Sequence, residues 1–181
     1  MMGKGTASEE VLALIEQIIK EHKVIMEGVQ TLEQVANDTG AITGLEIAKG
    51  AFVPGRFDEK ERLQKLQEQL ETIAKGLQEH FESEETRLLS AFKKYGDERL
   101  ISALNSLLLE HEDIRNRFAN SENQVSELIN GNMSRHIWEA SAHDVRAHIT
   151  HTRRLLGTHA GFEHELLMAL QKELRQEQKG E

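Results

Sequence analysis

The residues with the clearest chemical potential are histidines and glutamates spaced four apart within helical patterns. His80 and Glu84 have this spacing, and His159 and Glu163 repeat it. On a helix, residues four apart lie on one face, and here that face is otherwise apolar. An imidazole or a carboxylate in an apolar core needs a partner, because burying either one alone is costly. A metal ion would satisfy both groups at once.

Two single histidines occupy equivalent positions on the other two predicted helices. His22 and His111 each lie within an apolar stripe, and each follows a glutamate. The order histidine, His-x-x-x-Glu pair, histidine, His-x-x-x-Glu pair is an internal two-fold repeat. A lone buried histidine is more often a core residue than a ligand, but four of them with two equally spaced glutamates favour a shared metal site. The candidate ligands are His22, His80, Glu84, His111, His159 and Glu163.

The composition indicates a helical protein without disulfide or thiol chemistry. The chain has 181 residues, no cysteine, one proline and few aromatic residues, whereas all-β domains need aromatic strands and many turns. The net charge of −9 argues against nucleic acid or an anionic membrane as a partner. No apolar run is long enough for a membrane span, and no signal segment is evident, so we expect a cytoplasmic protein.

Four long amphipathic segments predict an all-α fold, an up-down-up-down antiparallel four-helix bundle. The bundle is expected over residues 8–179, after a flexible N-terminus at residues 1–7. At the helical rise of about 1.5 Å per residue, the candidate ligands lie at comparable distances from the helix ends and meet near mid-bundle. The predicted helices span residues 8–37, 58–95, 98–130 and about 134–179.

Capping and breaking residues define the predicted helix boundaries. Thr6 or Ser8 is expected to cap the first helix. Several glycines and the single proline predict a loop at residues 37–57, with a short helical turn at 45–49. Gly96 is expected to end the second helix in a left-handed conformation, and Asp97 is expected to cap the third.

The ligand set favours a pair of iron ions. Four imidazoles that share two carboxylates fit a closed tetrahedral zinc site poorly. Glu84 and Glu163 are placed to bridge two ions, each of which would keep open coordination positions. This favours iron over manganese or zinc. A dry pocket over the pair is expected from apolar residues one or two turns towards one end, namely Ile25, Met26, Val29, Leu77, Ile114, Phe118 and Leu156.

The segments KEHKVI, EHFESEE, LEHEDIR and THAGFEHELL resemble the hemerythrin-like, or HHE cation-binding, family. The resemblance covers residues 8 to about 172 and implies a non-haem di-iron centre in a four-helix bundle, with the six candidates as ligands. The O₂-carrying hemerythrins have a second histidine where this chain has Arg115, and an aspartate where it has His164. The chain is therefore more similar to the HHE branch, which includes iron or oxygen sensors and proteins that protect against nitric oxide or peroxide.

Two functions are compatible with this sequence. The first is a di-iron protein that binds or reacts with O₂, peroxide or nitric oxide, with or without enzymatic turnover. The alternative is an iron-, oxygen- or redox-sensing module without turnover. In such a module, metal occupancy or oxidation state would change the helix packing, and a protein partner would read that change.

A second polar layer is predicted eleven residues from the four histidines, since eleven residues make about three helical turns. It comprises Glu33, Gln69, Glu122 and His148. One interpretation is that the bundle opens at this level and that the four side chains are solvated. The sharper hypothesis is a buried layer in which His148 contacts a glutamate.

Overall fold

The structure is a computed structural model that describes the backbone of residues 4–48 and 57–180 and the side chains of residues 7–37 and 60–180. The all-α prediction is confirmed, since the described residues form helices and no strand. None of the described helices is long and apolar enough to cross a membrane. The helices are α1 (Lys4–Ala48), α2 (Phe57–Ser83), α3 (Leu89–Tyr95), α4 (Glu98–Leu108), α5 (Glu110–Asn130) and α6 (Arg135–Lys179).

Two irregular positions interrupt otherwise continuous helices. A π-helical turn at Glu84–Leu88 joins α2 directly to α3, and the single residue Leu109 separates α4 from α5. The chain therefore forms four long helical segments, which are α1, α2 with α3, α4 with α5, and α6. Both irregularities lie within two residues of a candidate ligand.

The first helix begins earlier than the sequence predicted. It starts at Lys4, so Thr6 and Ser8 lie inside the helix and do not cap it. Ser8 is buried instead, and its hydroxyl accepts a hydrogen bond from the side-chain amide of Gln178 at 3.1 Å. Of the N-terminus that was expected to be flexible, residues 4–7 are helical, and residues 1–3 lie outside the described residues.

The first helix also continues beyond its predicted end. It reaches Ala48, so the prediction of a loop is wrong for residues 37–44, whereas residues 45–48 are helical, as the predicted turn at 45–49 requires. Glycine costs a helix about 1 kcal/mol but does not forbid it, and Gly40 and Gly44 are both accommodated within α1. The rest of the predicted loop, residues 49–56, lies outside the described residues.

The other helix ends lie where the sequence predicts them, although the glycines that follow two of the helices do not adopt a left-handed conformation. The Asp97 carboxylate caps α4 by accepting a hydrogen bond from the backbone N–H three residues on, at 2.8 Å. Gly96 and Gly131 are extended, with φ of −88° and −77°, so the predicted left-handed end at Gly96 is wrong. Glycine is needed there for space, because an added Cβ would lie 2.8 Å from the Phe92 carbonyl oxygen at Gly96 and 2.5 Å from that of Glu127 at Gly131.

Each long segment packs mainly against two others, and α3 also contacts α6. Helix α1 contacts α2 and α6, and α5 contacts the same two helices. Along α1 and α6, Ser8 bonds Gln178 and Glu33 pairs with Arg153. Residue numbers therefore rise along α1 as they fall along α6.

The hydrophobic core consists of two buried clusters, and the candidate ligands lie between them. On α1, Ile18 belongs to one cluster and Val29 to the other, with His22 between the two. All four segments therefore bring their polar residues to one level, where the apolar core is interrupted. On the other segments, the candidate ligands lie between Leu77 and Leu88, between Leu104 and Ile114, and between Leu156 and Leu167.

Candidate metal centre

The structure brings all six candidate ligands into one cluster, and the Glu84 carboxylate lies at its centre. The Nε2 atom of His22 is 3.1 Å from Glu84 Oε1, and that of His111 is 3.2 Å from Glu84 Oε2. His80, one turn before Glu84, directs its own Nε2 at Oε1. One carboxylate thus meets histidines from three of the four helical segments. The six site residues are His22, His80, Glu84, His111, His159 and Glu163.

The Glu163 carboxylate completes the cluster from α6. Its Oε2 atom is 3.4 Å from Nε2 of both His22 and His159. The Nε2 atoms of His111 and His159 are 3.1 Å apart, so these two rings also face each other. The four imidazoles therefore direct Nε2 inward, towards the two carboxylates.

The cluster is shielded from solvent, yet part of it has no hydrogen-bond partner. Five of the six site residues are at most 4% exposed, and the side chain of His22 is 13% exposed. Glu84 Oε2 and both side-chain oxygens of Glu163 are buried without a hydrogen bond. Leaving a buried acceptor unsatisfied costs about 1–3 kcal/mol, and more when the group is charged. These oxygens are therefore available to a cation.

The arrangement of the donor atoms could hold a metal ion at two adjacent positions. Glu84, His111, His159 and Glu163 offer ligand atoms within 4.8 Å of one another, and so do His22, His80 and Glu84. Glu84 belongs to both groups, which is what a bridging carboxylate requires. Imidazole and carboxylate donors suit iron, manganese and zinc.

Three further carboxylates contact the outer nitrogen of three site histidines. Glu21 accepts a hydrogen bond from Nδ1 of His80 at 2.7 Å, and Glu110 accepts one from Nδ1 of His159 at 2.8 Å. Such a bond fixes the ring and leaves the Nε2 lone pair free to face the centre.

The third of these carboxylates belongs to Glu85, which is 34% exposed. Glu85 accepts a hydrogen bond from Nδ1 of His111 at 2.9 Å, although the adjacent Glu84 faces the centre of the cluster. Both residues lie in the π-helical turn, a wider turn that is frequent at functional sites. No residue pattern indicated the π-helical turn, so the sequence could not assign Glu85 to His111.

The electrostatics of the protein alone favour protonation of His22, His80 and His159. Burial lowers the pKa of His22, but the adjacent carboxylates of Glu163 and Glu84, which stabilise the charged ring, outweigh it and raise the pKa to about 9. The pKa values of His80 and His159 are raised in the same way, mainly by the glutamate one turn on from each. Any metal ion that binds here must therefore displace protons.

The nearby imidazoles also act on the central carboxylate. Burial raises the pKa of Glu84, but interactions with His111, His22 and His80 outweigh it and hold the pKa far below its usual range. Glu84 is therefore ionised across the physiological pH range and carries the negative charge that a cation needs.

A small cavity with mainly apolar walls lies against the cluster. It offers about 10 Å³ to the centre of a water-sized molecule, about the space that one water needs. Four of the seven predicted pocket residues line it, namely Ile25, Met26, Leu77 and Leu156.

The remaining three predicted pocket residues are incorrectly placed. Val29, Ile114 and Phe118 are buried in the neighbouring hydrophobic cluster and do not line the cavity. Phe81 and Ala160 line it instead, together with His22, His80 and His159. Phe81 directly follows a site histidine, and the sequence pattern did not show on which side of the rings its side chain lies.

The second predicted polar layer is half-buried, which matches neither interpretation. The side chains of Glu33, Gln69, Glu122 and His148 are all partly buried. His148 donates a hydrogen bond from Nε2 to the backbone carbonyl of Arg117 at 3.1 Å, so the described contacts place a carbonyl, rather than a glutamate, at this histidine. Burial, with the charge of Glu71 second, raises the pKa of Glu122.

Fold and site together define a helical protein with a buried histidine–glutamate cluster that could bind metal. No protein-family model, curated protein or solved structure matches the chain. The geometry of the cluster is therefore the basis for its proposed function.

Proposed function

We propose that this chain is a non-haem di-iron protein of the hemerythrin-like kind, folded as an up-down-up-down antiparallel four-helix bundle. In this proposal the six site residues are the ligands, and Glu84 and Glu163 bridge two iron ions. The molecule that binds or reacts at the centre is O₂, peroxide or nitric oxide.

One observation carries the proposal. Three carboxylate oxygens of Glu84 and Glu163 are buried without a hydrogen bond, at the point where four imidazoles direct Nε2 inward. Leaving buried carboxylate oxygens without hydrogen bonds is costly, because each has lost its bonds to water. Cations bound between the carboxylates would satisfy every one of these donor atoms.

The donor set supports two ions rather than one. A single ion would leave donors unused, since the site residues form two ligand groups that share only Glu84. Glu163 lies in one of these groups, but its Oε2 atom is equally distant from His22 and His159, which belong to different groups. Both carboxylates thus span the two positions, as bridging ligands do.

Each residue around the centre would have a distinct role. Bound iron supplies Lewis-acid and redox chemistry at its open coordination positions. The carboxylates of Glu21, Glu85 and Glu110 hold three imidazoles in the orientation that directs Nε2 inward. The apolar wall formed by Ile25, Met26, Leu77 and Leu156 keeps the cavity dry.

The cavity favours a small molecule as the ligand. Room for about one water-sized molecule suits a diatomic or triatomic species. Its walls are apolar apart from three histidines, which suits a ligand with little polarity, such as O₂ or nitric oxide.

Absorption spectroscopy tests this proposal. Purified protein is loaded with ferrous iron under anaerobic conditions. It is then exposed to air, desalted and finally reduced. We expect absorption in the near-ultraviolet and visible range that appears on oxidation and disappears on reduction, because bridged ferric pairs absorb there and zinc does not. Protein that binds only zinc, or whose spectrum is unchanged by air, would refute the di-iron function.

A further inference from the structure

The imidazole of His111 is held by a closed ring of contacts. Its Nδ1 donates to Glu85 at 2.9 Å, and its face stacks on Phe81 with ring centroids 3.8 Å apart and planes 12° from parallel. Arg115 joins these two neighbours, since its guanidinium lies 2.9 Å from Glu85 and 5.2 Å from the Phe81 ring centroid. The side chain of His111 is fully buried, so these contacts fix its orientation.

Arg115 is held in place by a third contact. Its Nε donates a hydrogen bond to the side-chain oxygen of Gln78 on α2 at 2.8 Å. The guanidinium thus packs against α2 and the π-helical turn, on the outer side of His111. It contacts the carboxylate that holds the site histidine, while the Nε2 side of the ring faces the cluster.

The three outer carboxylates differ in what else they contact. Glu85 shares its Oε1 between His111 and the Arg115 guanidinium. Among the described contacts, the only donor to Glu21 besides His80 is the neutral side-chain amide of Gln17, at 2.8 Å. Glu110 is 53% exposed and faces water. A full positive charge therefore offsets the Glu85 carboxylate that binds His111, whereas no such charge offsets Glu21 or Glu110 among the described contacts.

We propose that Arg115 is a positioning residue that sets the electron-donor strength of His111 through Glu85. This inference rests on the proposed di-iron function. A carboxylate that accepts the Nδ1 proton makes the imidazole a stronger donor to metal. The guanidinium competes for that carboxylate, so His111 is a weaker donor than His80 and His159. One iron position then favours the ferrous state more than it would without Arg115.

Charge-removing variants test this role through the midpoint potential of the iron-loaded protein. Arg115→Gln should lower the potential, because Glu85 then acts on His111 alone. Glu85→Gln should raise it and weaken metal binding by about 10–100-fold. We expect each change to alter the ratio of ferric to ferrous affinity by about tenfold, which is 59 mV for a one-electron couple. Because Arg115 acts through Glu85, the double variant should have the potential of Glu85→Gln, and a further change on removal of Arg115 would contradict this route.

Two further variants separate this role from a structural one. Arg115→Lys keeps the charge beside Glu85 and should hold the potential near the wild-type value. Arg117→Gln removes the same charge from the same helix, where its partner Asp113 is 65% exposed, and should leave the potential unchanged. Potentials that move in the same direction in Arg115→Gln and Glu85→Gln would indicate general damage and overturn the inference.

The outcomes also distinguish this inference from the function on which it rests. A wild-type protein that loads no iron pair would refute the proposed function, and the role of Arg115 in tuning it would fall too. A wild-type protein that loads two irons, with the same potential in Arg115→Gln as in Arg117→Gln, would refute the role of Arg115 alone.

Discussion

Raising the pH should destabilise the metal-free protein through His22. Its pKa is raised from the ordinary 6.5 to about 9, so the folded state holds this proton more tightly than the unfolded chain does. A group with a raised pKa stabilises the fold fully below the unfolded pKa and loses that effect as the pH rises through the folded pKa. The contribution of His22 is therefore complete below about pH 6.5 and lost above about pH 9.

The size of the effect follows from the same shift. Each pKa unit corresponds to 1.36 kcal/mol, so the protonated His22 contributes about 3 kcal/mol to stability. The side chain is only 13% exposed and lies between two buried carboxylates, so little solvent screens the interaction. The effect is large against the total stability of about 5–15 kcal/mol that is usual for a domain.

Urea unfolding of chelator-treated protein measures this contribution. The free energy of unfolding is determined at pH 6.5, 7.5, 8.5 and 9.5 for the wild type, for His22→Gln and for His164→Gln. His164 is exposed and serves as the matched control. Between the lowest and highest pH, the wild type and His164→Gln should lose about 3 kcal/mol more than His22→Gln. Equal losses in all three proteins would refute the argument.

Three further predictions concern stability. Metal at a free concentration of 100 times its Kd should stabilise the fold by about 2.7 kcal/mol, and an unchanged Tm after complete chelation would count against a buried site. Phe81→Ala removes a buried ring that stacks on His111 and should cost about 3–5 kcal/mol in urea unfolding, so a loss below about 1 kcal/mol would contradict the packing. Gly131→Ala should lower the Tm, because its Cβ would lie 2.5 Å from the Glu127 carbonyl oxygen. Gly161→Ala, which meets nothing within 4 Å, should raise the Tm through helix propensity, so equal effects would contradict the spatial argument.

The site could be predicted from the sequence because its pattern is local to each helix. Residues four apart share a helix face, so each histidine–glutamate pair can be recognised within one helical turn. The two pairs are His80 with Glu84 and His159 with Glu163. The apolar stripes around His22 and His111 then show that these rings face the core. The number of residues between each ligand and the end of its helix then predicts that the four helices bring their ligands to one level.

The errors arise where tertiary contacts or weak propensities decide. Glycine disfavours a helix by too little to end α1 at residue 37. The π-helical turn changes which way Glu85 points, and no residue type encodes it. Partners such as Arg115 and Glu85 lie on different helices, and their meeting depends on how the helices are rotated against each other. The same rotation decides that Phe81, rather than Phe118, lines the cavity.

The iron content of bridging-residue variants tests the central claim most directly. Wild type, Glu84→Ala and Glu163→Ala are loaded with iron under identical conditions and desalted, and the iron per chain is then measured by elemental analysis. Both carboxylates contact histidines of both ligand groups. The wild type should therefore hold about two irons per chain, and each variant should lose both together. A single tightly held ion in the wild type, retained by Glu163→Ala, would contradict the bridged centre.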